Sequence, residues 1–239
     1  GPTGSGKTTT LYSCLAHVNQ AERKIITIED PVEYQLTGVT QVQVHPQIGL
    51  TFAAGLRSML RHDPDIMMVG EVRDLETAQI AVQVALTGHL VFSTLHTNDA
   101  ASGVTRLIDM GVEPYLVCSS VECFIAQRLV RRLCPKCRKK GQITPQIIKD
   151  FELNPQAVAG VTIYEPQGCE ACKGTGFFGR EAIYEFLEMS EPVKKLVMER
   201  ASADEIKAKA VSLGFRTLSQ DGWDKVCRGV TAPGEIIRV

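Results

Sequence analysis

Gly1-Pro2-Thr3-Gly4-Ser5-Gly6-Lys7-Thr8 is the stretch on which the reading of the fold turns. A glycine, four residues, Gly-Lys and then Thr make the P-loop pattern. Glycines let the backbone curl so that successive N–H groups face inward at phosphate oxygens. In that pattern Gly1, Thr3, Gly4, Ser5, Gly6 and Thr9 line a phosphate cradle. Lys7 reaches the β- and γ-phosphates, and the Thr8 hydroxyl is a ligand for Mg²⁺. A helix is predicted to follow over residues 8–18, with its positive dipole end beneath the phosphates. A P-loop ordinarily follows a strand, and no residue precedes Gly1 in this sequence. The central sheet is therefore expected to lack one strand.

Working outward, the β-branched run at residues 24–28 reads as a buried strand ending in Glu29-Asp30-Pro31-Val32-Glu33-Tyr34. Three carboxylates within five residues, Glu29, Asp30 and Glu33, fall on a loop beyond that strand's C-terminal end, where open α/β sheets bind ligands. There they could hold Mg²⁺ through water or activate a nucleophile; a charged turn is the plainer reading. Residues 39–44 alternate as a half-exposed strand does, and Thr51 is placed to cap a helix over residues 52–61. Arg57 and Arg61, four apart on one face of that helix, could counter phosphate charge within the chain or across a subunit boundary.

Ile66-Met67-Met68-Val69-Gly70-Glu71 is a second buried strand with an acid at its end, placed beside a metal and an attacking water. A helix follows from Asp74 to Thr87. Residues 90–94 read as a third buried strand, with His89 and His96 at its two ends, each able to donate a hydrogen bond to a γ-phosphate. Asn98 or Asp99 caps the next helix, and Pro114 opens one predicted to reach residue 132. Alternating strands and helices predict a mainly parallel sheet covered on both faces. Further on, residues 183–189 read as a last strand, and Ser190, Ser202 and Thr217 begin three short helices that look like a C-terminal bundle.

Composition narrows the class. The 239 residues are 44% hydrophobic with a formal net charge of −1, which describes an ordinary soluble globular chain with no basic excess. No apolar run approaches the ~20 residues of a membrane span, and nothing N-terminal resembles a signal peptide. Of eight cysteines, Cys14, Cys118, Cys123 and Cys227 stand singly among apolar residues and are expected as buried thiols. The others form two Cys-x-x-Cys pairs, Cys134/Cys137 and Cys169/Cys172, with 31 residues between them. Four thiolates at that spacing can surround Zn²⁺ and leave no open position, so the zinc would be structural. The basic run Arg128, Arg131, Arg132, Lys136, Arg138, Lys139 and Lys140 around the first pair fits a solvated face, a subunit contact, or a patch for anionic lipid or nucleic acid.

Residues 1–12, 26–34, 63–74 and 87–100 resemble, in order, the four nucleotide motifs of the secretion ATPases of type II secretion and type IV pilus systems: Walker A, Asp box, Walker B and His box. Ala126-Gln127-Arg128-Leu129 through Cys137, with the later cysteine pair, resembles the tetracysteine subdomain of the export and pilus-assembly members. The resemblance implies a RecA-like P-loop NTPase: a core over residues 1–132, a zinc subdomain over 133–175, and a final strand with a helical bundle over 176–239. It assigns Lys7 and Thr8 to phosphate and Mg²⁺, and Glu71 to Walker B, with Glu71 and Asp30 reaching Mg²⁺ through water. Glu33 becomes the catalytic Asp-box glutamate, with Arg57, Arg61, His89 and His96 near the nucleotide. ATP, Mg²⁺ and structural Zn²⁺ are the implied cofactors. The implied assembly is a homo-hexamer at the cytoplasmic face of a bacterial inner membrane, working on a platform protein and an adaptor. Family members also carry an N-terminal domain that supplies further arginines, and it is not in this sequence, so the stretch is expected to be a piece of a longer motor. Type II secretion is the favoured system and pilus assembly the alternative. A zinc-ribbon nucleic-acid binder with a nucleotide switch is a rival, but residues 128–140 hold no aromatic for base stacking, and nucleic acid is not the expected partner.

Overall fold

The apolar runs at residues 25–28 and 66–69 become the two central strands of a parallel sheet, and their burial fixes where the helices must lie. The computed structural model describes residues 1–156, 158 and 160–239. In chain order the elements are α1 (Lys7–Val18), β1 (Ile25–Glu29), β2 (Val39–Gln43), α2 (Phe52–Met59), β3 (Ile66–Val69), α3 (Leu75–Leu86), β4 (Leu90–Ser93), α4 (Ala100–Asp109), α5 (Pro114–Ser120) and β5 (Cys123–Leu133). There follow β6 (Lys139–Gly141), α6 (Pro145–Asp150), β7 (Ile163–Glu165), β8 (Phe177–Glu188), α7 (Glu191–Met198), α8 (Ala203–Ser212), α9 (Leu218–Cys227) and α10 (Pro233–Ile237). Residues 1–124 with 187–213 form one compact unit, and residues 125–186 with 214–239 a second.

In the first unit the strand order is β2-β1-β3-β4, every pair parallel, with Ile25 opposite Ile66 and Ile66 opposite Leu90. Side chains alternate between faces along a strand. Ile25, Ile66 and Met68 pack on one face against Tyr12 and Leu15 of α1. Ile28, three residues on from Ile25, points to the other face and meets α2. A Cβ at Gly55 would stand 2.0 Å from Ile28 Cδ1, so a side chain there would force the Ile28 end methyl aside. Thr51 Oγ1 accepts from Ala54 N–H, Asp74 Oδ1 from Thr77 N–H and Asp99 Oδ1 from Ser102 N–H, which fixes the starts of α2, α3 and α4.

The second unit has its own core of Val130, Phe151, Ile163, Ile183, Val226 and Ile236. β5 pairs with β8, and β6 pairs antiparallel with β7. The mainly parallel α/β sheet expected from the sequence is present. The C-terminal helices divide: α7 and α8 belong to the first unit, α9 and α10 to the second.

Several sequence expectations change. The helix predicted from Pro114 to residue 132 ends at Ser120, and β5 takes its place. Phe124, Ile125, Leu129 and Val130 favour an extended chain once β8 supplies a partner, so tertiary pairing overrides the helical period. β8 in turn begins at Phe177, well before the expected residue 183. β4 is half-exposed rather than buried, because it ends the strand order. Cys14, Cys118, Cys123 and Cys227 are half-buried, each keeping an edge at the surface of its element. The basic run is largely tied down within its own unit. Arg131 donates two bonds to Glu235, Arg132 pairs with Glu181, Lys139 pairs with Glu165, and Arg138 lies over Tyr164 while donating to Gly229 O. No helix is long and apolar enough to cross a membrane among the described residues.

Candidate nucleotide site and metal centre

The loop before α1 has the backbone its glycines allow. Gly4 and Gly6 sit at φ +80° and +89°, and Gly6 is the residue from which α1 starts. Lys7 Nζ donates to Gly1 O at 2.6 Å and to Pro2 O at 3.0 Å, so its ammonium lies over the loop's own carbonyls. Thr8 and Thr9 follow, exposed, in the first turn of α1, and Thr3 is exposed in the loop. The backbone nitrogen of Gly1 donates to Leu95 O at 3.1 Å, which sets the loop beside the C-terminal end of β4. Ser5 Oγ is buried with no hydrogen-bond partner among the described residues. A buried hydroxyl without a partner costs free energy. A phosphate oxygen in the cradle would satisfy it, and a Cβ at Gly4 would meet nothing within 4 Å. The residues present fit a phosphate chain.

Glu71 stands just past β3 and is buried. Arg73 Nη2 reaches Glu71 Oε1 at 2.6 Å, and His96 Nε2 reaches Glu71 Oε2 at 3.1 Å. The backbone beneath is locked: Gly70 N–H donates to Ile28 O at 2.8 Å, and Thr94 Oγ1 donates to Gly70 O at 2.7 Å. The P-loop, Glu71 and His96 thus share the C-terminal edge of the sheet, the edge where such sheets bind ligands.

His89 is elsewhere. β4 runs parallel to β3 with Leu90 opposite Ile66, so the residue before Leu90 lies at the sheet's N-terminal edge. Its Nδ1 is 3.0 Å from both Val84 O and Thr87 Oγ1 at the end of α3. Both histidines flank the strand, but only His96 joins Glu71. Arg57 bonds to Glu76 of α3, while Arg61 lies past the end of α2 in a 3₁₀ turn, so the two do not share one α-helical face.

The acidic trio also separates. Glu29 is still within β1 and buried, accepting from Tyr12 Oη, Thr27 Oγ1 and Gln41 Nε2. Its oxygens are occupied by neutral donors, and it is no loop acid. Asp30 and Glu33 are exposed beyond the strand end.

In the second unit the four paired cysteines converge. Their sulfurs all lie within 4.8 Å of one another. Cys134–Cys169, Cys137–Cys172 and Cys169–Cys172 are 3.9, 3.8 and 3.7 Å apart. A tetrahedron of thiolates about 2.3 Å from Zn²⁺ has edges of about 3.8 Å. The donor set and spacing fit a closed metal site. Burial pushes the Cys172 thiol up, but the N–H groups of Cys169 and Gly176, each 3.2 Å from its sulfur, together with the Cys169 and Cys137 thiols, outweigh burial and bring it down to about 6. Burial and the neighbouring thiols push Cys137 up to about 12. Main-chain donors aimed at sulfur favour the thiolate a metal needs.

A sequence profile described as type II/IV secretion system protein matches residues 1–238. The chain belongs to that family. Among curated relatives of this type II/IV secretion family chain, the type IV pilus assembly ATPase PilB of Myxococcus xanthus is 51% identical over 238 residues, 99% of the chain and 42% of the relative. The type II secretion system protein E of Xanthomonas campestris is 52% identical over 240 residues, 100% of the chain and 42% of the relative. The chain therefore spans less than half the length of these relatives. Among solved structures, the pilus retraction motor PilT with bound ADP superposes with a TM-score of 0.72 at 29% identity, covering 100% of the chain and 59% of that structure.

For this family member the sequence reading missed the residues that hold the site acids. Arg73, two residues after Glu71, is one of them. Tyr12, Thr27 and the half-buried Gln41 form a polar group around Glu29, and the available signal was a hydroxyl on each of two apolar faces, Tyr12 among Leu11, Leu15 and Val18, and Thr27 within Ile25–Glu29.

Proposed function

We propose that this chain is the ATP-hydrolysing core of a type II secretion motor. One observation carries the reading: the P-loop, with its unpartnered Ser5 hydroxyl, shares the C-terminal sheet edge with Glu71, whose carboxylate is held between His96 and Arg73. In this reading the backbone of residues 1–6 and Lys7 hold the triphosphate, aided by Thr9, and Thr8, Glu71 and Asp30 serve Mg²⁺, the two acids through water. The metal would neutralise charge on the β- and γ-oxygens. Glu33 orients or deprotonates the attacking water, and His96 contributes a donor toward the γ-phosphate. Arg57 and Arg61 answer phosphate charge, Arg57 once it leaves Glu76. ADP bound to the PilT structure supports the choice of nucleotide. The four cysteines hold a structural Zn²⁺. The working assembly in this reading is a homo-hexamer, peripheral to the cytoplasmic face of the inner membrane, that drives a platform protein through an adaptor.

Pilus assembly is the second reading, and the near-equal identity to a PilB and to a secretion protein E keeps it level at the motif scale. Against the rival nucleic-acid reading, Arg131, Arg132 and Arg138 each pair within their own unit, and residues 128–140 offer no aromatic for base stacking. Glu71→Gln in the full-length protein tests the ATPase reading. Turnover is expected to fall ~100-fold or more with ATP binding retained. Unchanged phosphate release would remove Glu71 from the chemistry.

A further inference from the structure

Tyr12 sits on the buried face of α1, the helix that begins at the P-loop lysine. Its hydroxyl donates to Glu29 Oε2 and accepts from Glu33 N–H and Gln41 Nε2, each at 3.3 Å. A phenol offers one donor and up to two acceptor positions, so this hydroxyl is fully engaged. The Tyr34 ring stands edge-on to the Tyr12 ring, with centroids 4.7 Å apart and planes at 75°.

The neighbouring main chain is held the same way. Val32 N–H ends on Gln43 Oε1 at 3.4 Å, Leu36 N–H on Gln41 Oε1 at 2.7 Å, and Tyr34 O accepts from Gln41 Nε2 at 3.2 Å. The N–H groups of Val32, Glu33 and Leu36 thus all end on side chains, from α1 and β2. Burial, and then the bond to Glu29, push the Tyr12 phenol up to about 12, so it keeps its proton at neutral pH.

We infer that Tyr12 is a positioning residue for hydrolysis: its hydroxyl fixes the Glu33 main chain against the helix that carries the P-loop. The inference rests on the ATPase reading and on Glu33 acting on the attacking water. Its effect passes through Glu33 and not through nucleotide contact, because the hydroxyl faces β1 and the loop.

The test uses the full-length protein and compares wild type, Tyr12→Phe, Glu33→Gln and the double variant by steady-state ATP hydrolysis and nucleotide affinity. Phenylalanine keeps the ring and its contact with Tyr34. For Tyr12→Phe, kcat is expected to fall about tenfold, as for a lost positioning contact, with KM within about twofold. On the Glu33→Gln background the same change should cost nothing further. An unchanged kcat, a change confined to KM, or an undiminished tenfold loss on the Glu33→Gln background would each overturn the inference. Should Tyr12→Phe fail to fold, Tyr12→Phe with Glu29→Leu removes the carboxylate left short of a donor and carries the same comparison. Absence of turnover in wild type would remove the ATPase reading and this inference with it. Turnover that Tyr12→Phe leaves untouched would remove the inference alone.

Discussion

Glu235 places a buried carboxylate where four donors meet it, three from guanidinium groups and one from the main chain. Arg131 donates from Nε at 3.0 Å and Nη2 at 2.7 Å, its backbone N–H adds a bond at 3.0 Å, and Arg238 reaches in at 3.2 Å. The Arg131 bonds come first among the causes that bring the acid down to about 2 from 4.5, against the opposing pull of burial. The folded carboxyl is thus more acidic than the unfolded one. The stability it lends is complete above about pH 4.5 and is lost as pH falls from there toward 2. Arg131 is half-exposed, so solvent screening trims the contribution to roughly 2 kcal/mol. Urea unfolding at pH 7, 4 and 3 should show wild type losing its advantage over Glu235→Gln as the pH drops. A constant difference would contradict the assignment. At this scale the sequence is plain where the chemistry is written as a motif. Lys7, Glu71 and the four cysteines need no structure to be noticed. Glu235, Tyr12 and Arg73 do, because their meaning lies in partners brought close only by folding.

The two cysteine knuckles show what an element demands of its spacer residues. Gly168 sits at φ +98°, and a Cβ there would stand 2.5 Å from the carbonyl oxygen of Gly174. Both the left-handed backbone and the close approach exclude a side chain. Gly168→Ala is expected to destabilise the knuckle by about 2–4 kcal/mol. Faster zinc release to a colorimetric chelator reports it, and an unchanged release rate would count against the cramped turn. The elements most legible in sequence were those with caps: Thr51, Asp74, Asp99, Ser202 and Thr217 each begin the helix their pattern announces. β5 was illegible for a definite reason. Its apolar residues suit either period, and β8, the partner that decides between them, begins 44 residues after β5 ends.

At the scale of the molecule, each unit carries its own apolar core, one around Tyr12, Leu15 and Ile25 and one around Val130, Ile163 and Ile183. Calorimetry is expected to resolve two transitions. Mg-ATP at 100 times its Kd should stabilise the first by about 2.7 kcal/mol, and zinc chelation should lower only the second. A single transition that responds equally to both additions would show the cores to be one cooperative body. The α/β class was legible from strand–helix alternation alone. The division of the C-terminal helices was not, because a helix's sequence does not name the core it joins. That division has a consequence for how the protein is made. The first unit is completed by residues 187–213, and the 62 residues 125–186 must be synthesised in between. At ~5–20 residues per second this interval lasts roughly 3–12 s. For those seconds α4 and α5 lack the α8 and α7 that pack against them, and the cysteine knuckles emerge from the ribosome before the first unit is whole.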